Sequence, residues 1–271
     1  MAISVAEKRA AFRKLHESGC FIIPNPWDIG SAKLLEGMEF KALASTSSGM
    51  AWSMGRADNH VSCDDVIAHL AALCAATDLP VNADFEAGFS DHPGGVAANV
   101  ARAVSTGVAG LSIEDATGDA SQPLFAHAAA VERIRAARAA IDQNSSGVLL
   151  VGRCEAFLVG QPDLEMTIDR LIAYAEAGAD CLYAPGLKTR EQISAVVKAL
   201  HPKPINVLMG APGLSAAELA DLGVRRISIG GALARAAWGG FLRAAREMAE
   251  HGTFNELAHA VTYAEINGKF A

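Results

Sequence analysis

Two short runs of apolar residues each end in an acid that could take part in chemistry. Asp84 follows the run that begins near Pro80, and Glu114 follows the run that begins near Ala109. One helix-length segment separates them, so the two runs fit neighbouring parallel strands. Their acids would then meet at one edge of the sheet, where two negative charges repel each other unless a cation lies between them. A hard divalent cation, Mg²⁺ or Mn²⁺, is the expected occupant.

Each acid also has a simpler explanation. A carboxylate at the end of a strand often caps the helix that follows, and for either residue alone this is the better interpretation. The pair on adjacent strands favours the metal instead. Glu86 and Asp115 lie close by in the sequence and are weaker candidates, because they fit a position behind the ligands or in solvent equally well.

Arg153 ends an otherwise apolar strand that begins near Val148. A guanidinium at this position can bind a substrate carboxylate through two parallel hydrogen bonds. An internal salt bridge to Glu155 or Glu114 is the alternative, and the two interpretations are compatible. Arg153 is therefore the candidate catalytic residue.

Other polar residues stand where predicted strands end and could bind an anion. The run at 45–49 offers hydroxyl and backbone N–H groups, although an ordinary polar loop would have the same composition. Asn206 ends another predicted strand. The candidate substrate-binding residues are Thr46, Ser47, Ser48, Gly49 and Asn206.

Composition limits the class of protein. The chain has 271 residues, of which 51% are hydrophobic and 20% charged, enough for a large core. The formal net charge is −7 and no basic cluster occurs, so nucleic acid is not an expected partner. No apolar stretch has the length needed to span a bilayer, and no membrane association is expected. The 5 cysteines lack metal-type spacing and fit free thiols in the cytoplasm.

A strand-like run followed by a helical stretch recurs along the chain. The predicted strands begin near Phe21, Lys41, Pro80, Ala109, Val148, Asp180, Pro204 and Arg226. This repeat predicts an α/β protein with one (β/α)8 TIM barrel. A doubly wound sheet is the main competitor, but no strand is followed by a Gly-rich dinucleotide fingerprint. The whole chain, 1–271, is expected to form one domain.

A helical extension is expected at the C-terminus, over about 232–271. Two helices are predicted there, at about 232–250 and 253–267, although a barrel needs only one. The extra helix must bury its apolar face, and a second subunit would supply a surface for it.

Several motifs together resemble the isocitrate lyase/phosphoenolpyruvate mutase superfamily, and the similarity covers nearly the whole chain. The segments that carry the resemblance are Ala44–Gly49, Gly55–Asp58, Pro80–Gly88, Gly110–Asp115 and Gly152–Arg153. The resemblance implies a barrel, a Mg²⁺ site, and the making or breaking of a C–C or P–C bond beside a 2-oxo acid. It also implies a homo-oligomer, a dimer or tetramer, in which a late helix is exchanged between subunits.

The resemblance also implies roles for individual residues. Asp84 and Glu114 match acids of the metal site, and Asp58 matches an aspartate around the metal. Arg153 matches the arginine that contacts substrate, and the loop containing Ser47 matches the substrate-binding loop. Asn82 stands where many members have another acid.

One loop departs from the better-known members. Isocitrate and methylisocitrate lyases carry a Lys-(Lys/Arg)-Cys-Gly-His motif after strand four, and phosphoenolpyruvate mutases carry a Lys and an Asn there. Residues 115–125 of this chain contain none of these side chains. What remains resembles the branch that includes oxaloacetate decarboxylases and lyases of 2-oxo or 2-hydroxy dicarboxylates.

The expected function is therefore a Mg²⁺-dependent lyase that breaks a C–C bond beside a 2-oxo or 2-hydroxy carboxylate through an enolate. The expected partner is a small carboxylate substrate. Three alternatives stay open: a P–C bond enzyme of the phosphonopyruvate type, a pyruvate aldolase that binds phosphate at Gly230 and Gly231, and a barrel that binds a 2-oxo acid without catalysis.

Overall fold

The computed structural model describes residues 3–143 and 146–271, and in them eight parallel strands alternate with helices. The strands are β1 (Phe21–Ile23), β2 (Leu43–Ala44), β3 (Val81–Asp84), β4 (Gly110–Glu114), β5 (Leu149–Arg153), β6 (Cys181–Tyr183), β7 (Ile205–Leu208) and β8 (Arg226–Ser228). Their hydrogen-bonded order is β1-β8-β7-β6-β5-β4-β3-β2. Across the remaining edge, the Ala44 N–H donates a hydrogen bond of 3.0 Å to Pro24 O, which brings β1 and β2 together. The predicted (β/α)8 barrel is confirmed.

Helices surround the strands and begin at side chains suited to that position. Ser62, Thr189 and Ser215, for example, each accept a backbone N–H in the first turn and form a capping box. The helices are α1 (Val5–Leu15), α2 (Ile29–Glu36), α3 (Ser47–Ser53), α4 (Cys63–Ala76), α5 (Pro93–Ser105), α6 (His127–Asp142), α7 (Leu164–Glu176), α8 (Arg190–Leu200), α9 (Ala216–Asp221), α10 (Ala232–His251) and α11 (Tyr263–Gly268).

Helix α1 packs on the amino ends of the strands. Its Phe12 is fully buried in a small cluster with Ile23, Ala109 and Leu149, which belong to the barrel or immediately precede it. A methyl group at Gly110 would lie only 2.6 Å from the Phe12 ring, so the glycine leaves room for this ring. The carboxyl ends of the strands, at the opposite side of the barrel, carry the polar residues considered below.

The C-terminal extension differs in part from its prediction. Helix α10 matches the predicted 232–250 helix, but the second predicted helix, 253–267, is wrong as a continuous element. A 3-10 turn occupies Asn255–His259, the backbone is extended at Ala260, and α11 then starts after Thr262, which caps it. None of the helices in the described residues is long and apolar enough to cross a membrane. Exchange of this extension between subunits stays a prediction.

Candidate active site

The carboxyl ends of β3, β4 and β5 bring three predicted residues together. Glu114 and Arg153 are register partners on adjacent strands, and Asp84 ends the strand on the other side of β4. The Arg153 Nη1 atom lies 3.1 Å from Asp84 Oδ1 and 3.1 Å from Glu114 Oε2. The two carboxylates therefore converge, and a guanidinium nitrogen lies between them.

Arg153 makes further contacts through Nε and its guanidinium plane, while its Nη2 group makes no polar contact with the residues that the structure describes. Its Nε donates to Glu155 Oε1, and its guanidinium carbon lies 5.2 Å from the centre of the Tyr183 ring. Within the described residues, no hydrogen bond or ion pair reaches Nη2, and the side chain keeps 15% of its surface exposed. The internal salt bridges are thus present, and Nη2 is available to a ligand.

One guanidinium does not neutralise the acids around it. Burial raises the pKa of Glu114 well above its ordinary value, although Arg153 opposes this shift. Burial, followed by the charges of Asp84 and Asp58, raises the pKa of Glu86 to about 7. Burial also raises the pKa of Asp58. These shifts mean that the site would gain free energy from another positive charge.

A tight turn after β3 positions Glu86. The residue has a φ of 46°, in the left-handed region that few non-glycine residues adopt, and Gly88 follows at 81°. The Glu86 carbonyl oxygen accepts the Glu114 N–H at 3.0 Å, so the turn is fixed to the end of β4. A methyl group at Gly88 would lie 2.9 Å from Val96, which excludes larger residues there.

The polar run after β2 contacts the same acids. The Ser47 N–H donates to Asp84 Oδ2 at 3.0 Å, and the Asp84 N–H donates to Ser45 Oγ at 2.8 Å. Thr46 caps α3 by accepting the Gly49 N–H at 3.3 Å. Gly49 is buried, and a methyl group there would lie 2.7 Å from the Thr46 side chain, so this glycine serves close packing.

Two adjoining cavities open at this end of the barrel. The outer cavity, of about 710 Å³, is bounded chiefly by Asp58, Glu86, Glu114, Asp119, Arg153 and Glu155. The inner cavity, of about 190 Å³, is bounded chiefly by Thr46, Ser48, Asp84, Tyr183, Arg226 and Ser228. Ser47, Asp58, Arg153 and Leu158 line both. Most of the predicted site residues thus surround one continuous space.

Gly49 and Asn206 line neither cavity. Asn206 is fully buried, with its Nδ2 donating to Ser228 Oγ at 2.9 Å and its Oδ1 accepting from Arg226 Nε at 2.8 Å. Its side chain therefore lies beneath the cavity and orients other residues.

Asp115 points away from the cavities. Its Oδ2 accepts hydrogen bonds from the Tyr174 hydroxyl at 2.6 Å and from Arg170 Nη1 at 3.1 Å. Its Oδ1 accepts the Glu155 N–H at 2.7 Å. Asp115 thus fixes the backbone of Glu155, whose carboxylate in turn contacts Arg153.

Arg226, Tyr183 and Leu158 also line the inner cavity and were not predicted as site residues. Arg226 begins a strand of apolar residues, the same signal that drew attention to Arg153 at the end of its own strand. Tyr183 and Leu158 give no such signal, because apolar and aromatic residues in these positions normally pack in the core.

The acids fit a weakly chelated Mg²⁺ better than a fully chelated ion. Within residues 3–143 and 146–271, no three His, Cys, Asp or Glu side chains are grouped tightly enough to hold a metal by themselves. Mg²⁺, however, usually takes one or two carboxylates and keeps several waters. Asp84 and Glu114 supply two such carboxylates, and the raised pKa of Glu86 indicates that a cation would be favoured beside them.

Three comparisons place the chain among known proteins. A crystal structure from Burkholderia cenocepacia, described as that of a lyase/mutase, has a TM-score of 0.95 and 51% identity and covers 98% of this chain and 96% of its own. The oxaloacetate decarboxylase of Pseudomonas aeruginosa is 30% identical over 96% of this chain and 93% of its own length. The structure of 2,3-dimethylmalate lyase has a TM-score of 0.86 and 26% identity, covering 100% of this chain and 96% of its own.

The family model of phosphoenolpyruvate phosphomutase matches residues 12–249, which include all eight strands and every residue of the two cavities. The resemblance found in the sequence motifs is confirmed by this match and by the relatives. The chain belongs to the phosphoenolpyruvate phosphomutase family, within the phosphoenolpyruvate mutase/isocitrate lyase superfamily of lyases and mutases.

Proposed function

We propose that the chain is a Mg²⁺-dependent lyase that breaks a C–C bond next to a 2-oxo or 2-hydroxy carboxylate, with decarboxylation of an oxaloacetate-like acid as the specific reaction. The observation that carries the proposal is the position of Arg153. Three carboxylates fix its Nε and Nη1, Nη2 has no partner in the part of the chain that the structure describes, and the side chain lines both cavities. The relatives that decarboxylate oxaloacetate or cleave 2,3-dimethylmalate support the reaction class.

Substrate binding would use the polar run after β2 together with Arg153. The hydroxyl groups of Thr46 and Ser48 lie 3.1 Å apart and line the inner cavity, where they can donate to a carboxylate. Arg153 Nη2 can donate to the keto oxygen or to the carboxylate next to it. Because contacts within the chain already hold these donors in place, they can orient the substrate for the reaction.

Bond cleavage leaves two electrons on the substrate. When the bond from C3 to the departing carboxylate breaks, CO2 leaves and the electron pair forms the C2–C3 double bond of an enolate, with the negative charge on the former keto oxygen. The fixed Arg153 guanidinium stabilises that oxygen. A Mg²⁺ ion held by Asp84 and Glu114 would supply a Lewis acid at the same oxygen. Water in the outer cavity then donates a proton to C3 of the enolate, which gives the product 2-oxo acid.

The loop at 115–125 shields this reaction from bulk solvent. It folds back on itself through an antiparallel bridge between Ala116 and Leu124, and the Phe125 N–H donates to Asp115 O at 2.9 Å. Thr117 and Pro123 line the outer cavity. The loop therefore forms a wall that limits exchange between the water in the outer cavity and bulk solvent.

A substrate screen tests the proposal. Wild-type protein is incubated with a panel of 2-oxo and 2-hydroxy di- and tricarboxylates, with Mg²⁺ and with EDTA, and pyruvate, glyoxylate and CO2 are measured. Phosphonopyruvate is included because the family model takes its name from a P–C enzyme. Release of pyruvate or glyoxylate only with Mg²⁺ supports the proposal. Turnover of phosphonopyruvate alone, or binding without any turnover, would replace it by the corresponding alternative.

A further inference from the structure

A second arginine lies at the floor of the inner cavity, with no counter-charge among residues 3–143 and 146–271. Arg226 is only 3% exposed, and its side chain lines the cavity from below. Its Nε donates to Asn206 Oδ1 at 2.8 Å and its Nη1 donates to Asn82 Oδ1 at 3.2 Å. Both acceptors are neutral amides. Within the described residues, Arg226 makes no ion pair and its Nη2 no hydrogen bond.

A buried arginine without an acid beside it is costly. The guanidinium stays protonated in proteins, so burial cannot be relieved by losing the proton. Burial lowers the pKa of Arg226, and the groups that oppose this shift are Cys181 and Tyr183 rather than a carboxylate. Placing such a charge in a protein interior destabilises the folded protein unless an anion compensates it. The uncompensated charge therefore indicates an anion in the inner cavity.

The two cavities differ in the charge that they present. The charged residues lining the outer cavity are the acids Asp58, Glu86, Glu114, Asp119 and Glu155, with Arg153 as the one cation among the described residues there. A second carboxylate of a substrate would be repelled by that set. The inner cavity pairs two acids, Asp58 and Asp84, with two arginines, Arg153 and Arg226, and carries hydroxyl groups at Tyr183 and Ser228.

We infer that Arg226 is a specificity-determining residue that binds the far carboxylate of a short dicarboxylate in the inner cavity. The inference rests on the proposed function for the position of the first carboxylate, beside Arg153, Thr46 and Ser48 at the carboxyl ends of the strands, whereas Arg226 stands at the start of β8. Arg226 Nη2, together with the hydroxyl groups of Ser228 and Tyr183, would hold the second. In the proposed reaction this is the carboxylate that leaves as CO2, so Arg226 acts on the binding of the ligand and on KM, and not on the bond-breaking step. The inner cavity, of about 190 Å³, has room for a carboxylate in place of several waters.

Asn82 is part of this arrangement. Its Oδ1 lies 3.2 Å from Arg226 Nη1, so an aspartate at this position would pair with the guanidinium. The amide instead orients Arg226 without neutralising it, which leaves the positive charge for a ligand.

Binding of unreactive four-carbon acids tests the subsite directly. Succinate and butyrate share a four-carbon chain and differ in one carboxylate, and their dissociation constants are measured by calorimetry with wild-type protein and Mg²⁺. Succinate is expected to bind at least about 10-fold tighter than butyrate, since butyrate leaves the buried guanidinium without a counter-charge. Equal affinities in wild type would overturn the inference.

Variants assign the preference to Arg226. Arg226→Gln is expected to weaken succinate at least about 30-fold while butyrate changes little, and Arg226→Lys should keep part of the preference. Arg225→Gln is the matched control, because the neighbouring Arg225 contacts Gly19 O at the surface. If Arg226→Gln does not fold, Asn82→Asp is used, which keeps the guanidinium and neutralises it internally. A succinate preference that survives in the folded variant would contradict the subsite.

The same proteins separate this inference from the proposed function. Oxaloacetate is offered as the substrate, and 2-oxobutyrate, which has the same chain length but lacks the carboxylate that leaves, is offered as a competitive inhibitor in the turnover assay. If no 2-oxo acid is turned over, the proposed function fails, while the succinate measurement still decides on the subsite. If turnover occurs but Arg226→Gln leaves the KM for oxaloacetate unchanged, the subsite fails and the lyase function stands.

Discussion

Arg153 Nη1 lies 3.1 Å from Glu114 Oε2, and the two residues are register partners on adjacent strands. The Arg153 guanidinium lies between Asp84 and Glu114 and compensates part of their negative charge, so the chain itself supplies one cation at this position. The compensation is incomplete, since the pKa values of Glu114 and Glu86 stay raised beside the arginine. The arrangement suits a site in which the arginine and a divalent ion share one set of carboxylates.

Replacing Arg153 should separate catalysis from metal binding. Arg153→Met removes the donors proposed to stabilise the enolate, so kcat/KM for the best 2-oxo acid should fall by about 10²–10³-fold or more. Mg²⁺ should bind more tightly, because Asp84, Glu114 and Glu155 lose their internal counter-charge. Turnover and Mg²⁺ titration calorimetry measure the two effects. Weaker Mg²⁺ binding, or unchanged turnover, would contradict the shared-carboxylate arrangement.

His16 should make the protein acid-sensitive. Its Nδ1 donates to Phe12 O at 2.8 Å, its ring contacts Phe12 and Phe21, and its buried Nε2 has no partner among the described residues. Burial, followed by the charge of Arg226, lowers the pKa of His16 to about 3. Because the unfolded chain takes up a proton near pH 6.5 and the folded chain only near pH 3, the free energy of unfolding should fall as the pH drops between these values.

The His16→Phe variant isolates this contribution. An aromatic ring remains while the titrating group is lost, so the unfolding free energy of wild type should fall relative to that of the variant as the pH is lowered. Urea unfolding from pH 7 to pH 4 measures it. Parallel pH profiles for the two proteins would show that His16 is not the titrating group.

The buried contacts of Asp115 should matter more for stability than any surface ion pair. Tyr174→Phe removes one hydrogen bond to this carboxylate and should lower the free energy of unfolding by about 1–3 kcal/mol. Asp115→Asn also leaves Arg170 buried without its acid and should cost about 3–5 kcal/mol. Urea unfolding compares both with Glu132→Gln, which breaks an exposed pair with Arg135 and should cost less than about 1 kcal/mol. Equal losses in all three would contradict this role for Asp115.

Helix α10 carries exposed apolar side chains that predict association of subunits. Trp238 and Phe241 contact each other with ring centres 5.6 Å apart, and Phe241 is 59% exposed. Because such a surface is usually covered, wild-type protein should be a homo-oligomer in light scattering, and Phe241→Glu should shift it toward the monomer. Met38→Glu, at a side chain 61% exposed on another part of the barrel, is the control and should leave the oligomer intact. A monomeric wild type would contradict the prediction.

The barrel could be predicted because its signals are local. Each strand is a short apolar run that follows a turn, and six of the eight strands start within two residues of the predicted position, the other two at it. The prediction of a continuous helix over 253–267 was wrong for a local reason as well. Thr262 is an N-cap residue, so a new helix starts after it and no single helix runs through this position. Both results depend on neighbours in the sequence.

The site was harder to predict because it depends on the direction in which each side chain points and on how deep each residue lies in the barrel. Side chains alternate along a strand, so Glu114 faces the cavity while the next residue, Asp115, turns toward α7. Asn206 is the second residue of β7 and lies deeper in the barrel than Asp84, which is the last residue of β3. The role of Arg226 depends on its distance to Asn82 across the barrel, and no spacing in the sequence contains that information.

Mg²⁺ binding and turnover in Asp84→Asn test the proposed Mg²⁺ site most directly. This variant keeps the size of the side chain and removes one of the two carboxylates proposed to hold the ion. Asp64→Asn is the matched control, since Asp64 is an exposed acid paired with Arg102 on the outside of the barrel. We predict that Asp84→Asn loses most of its Mg²⁺ affinity and its Mg²⁺-dependent turnover of a 2-oxo acid, whereas the control keeps both. Undiminished Mg²⁺-dependent turnover in folded Asp84→Asn would contradict it.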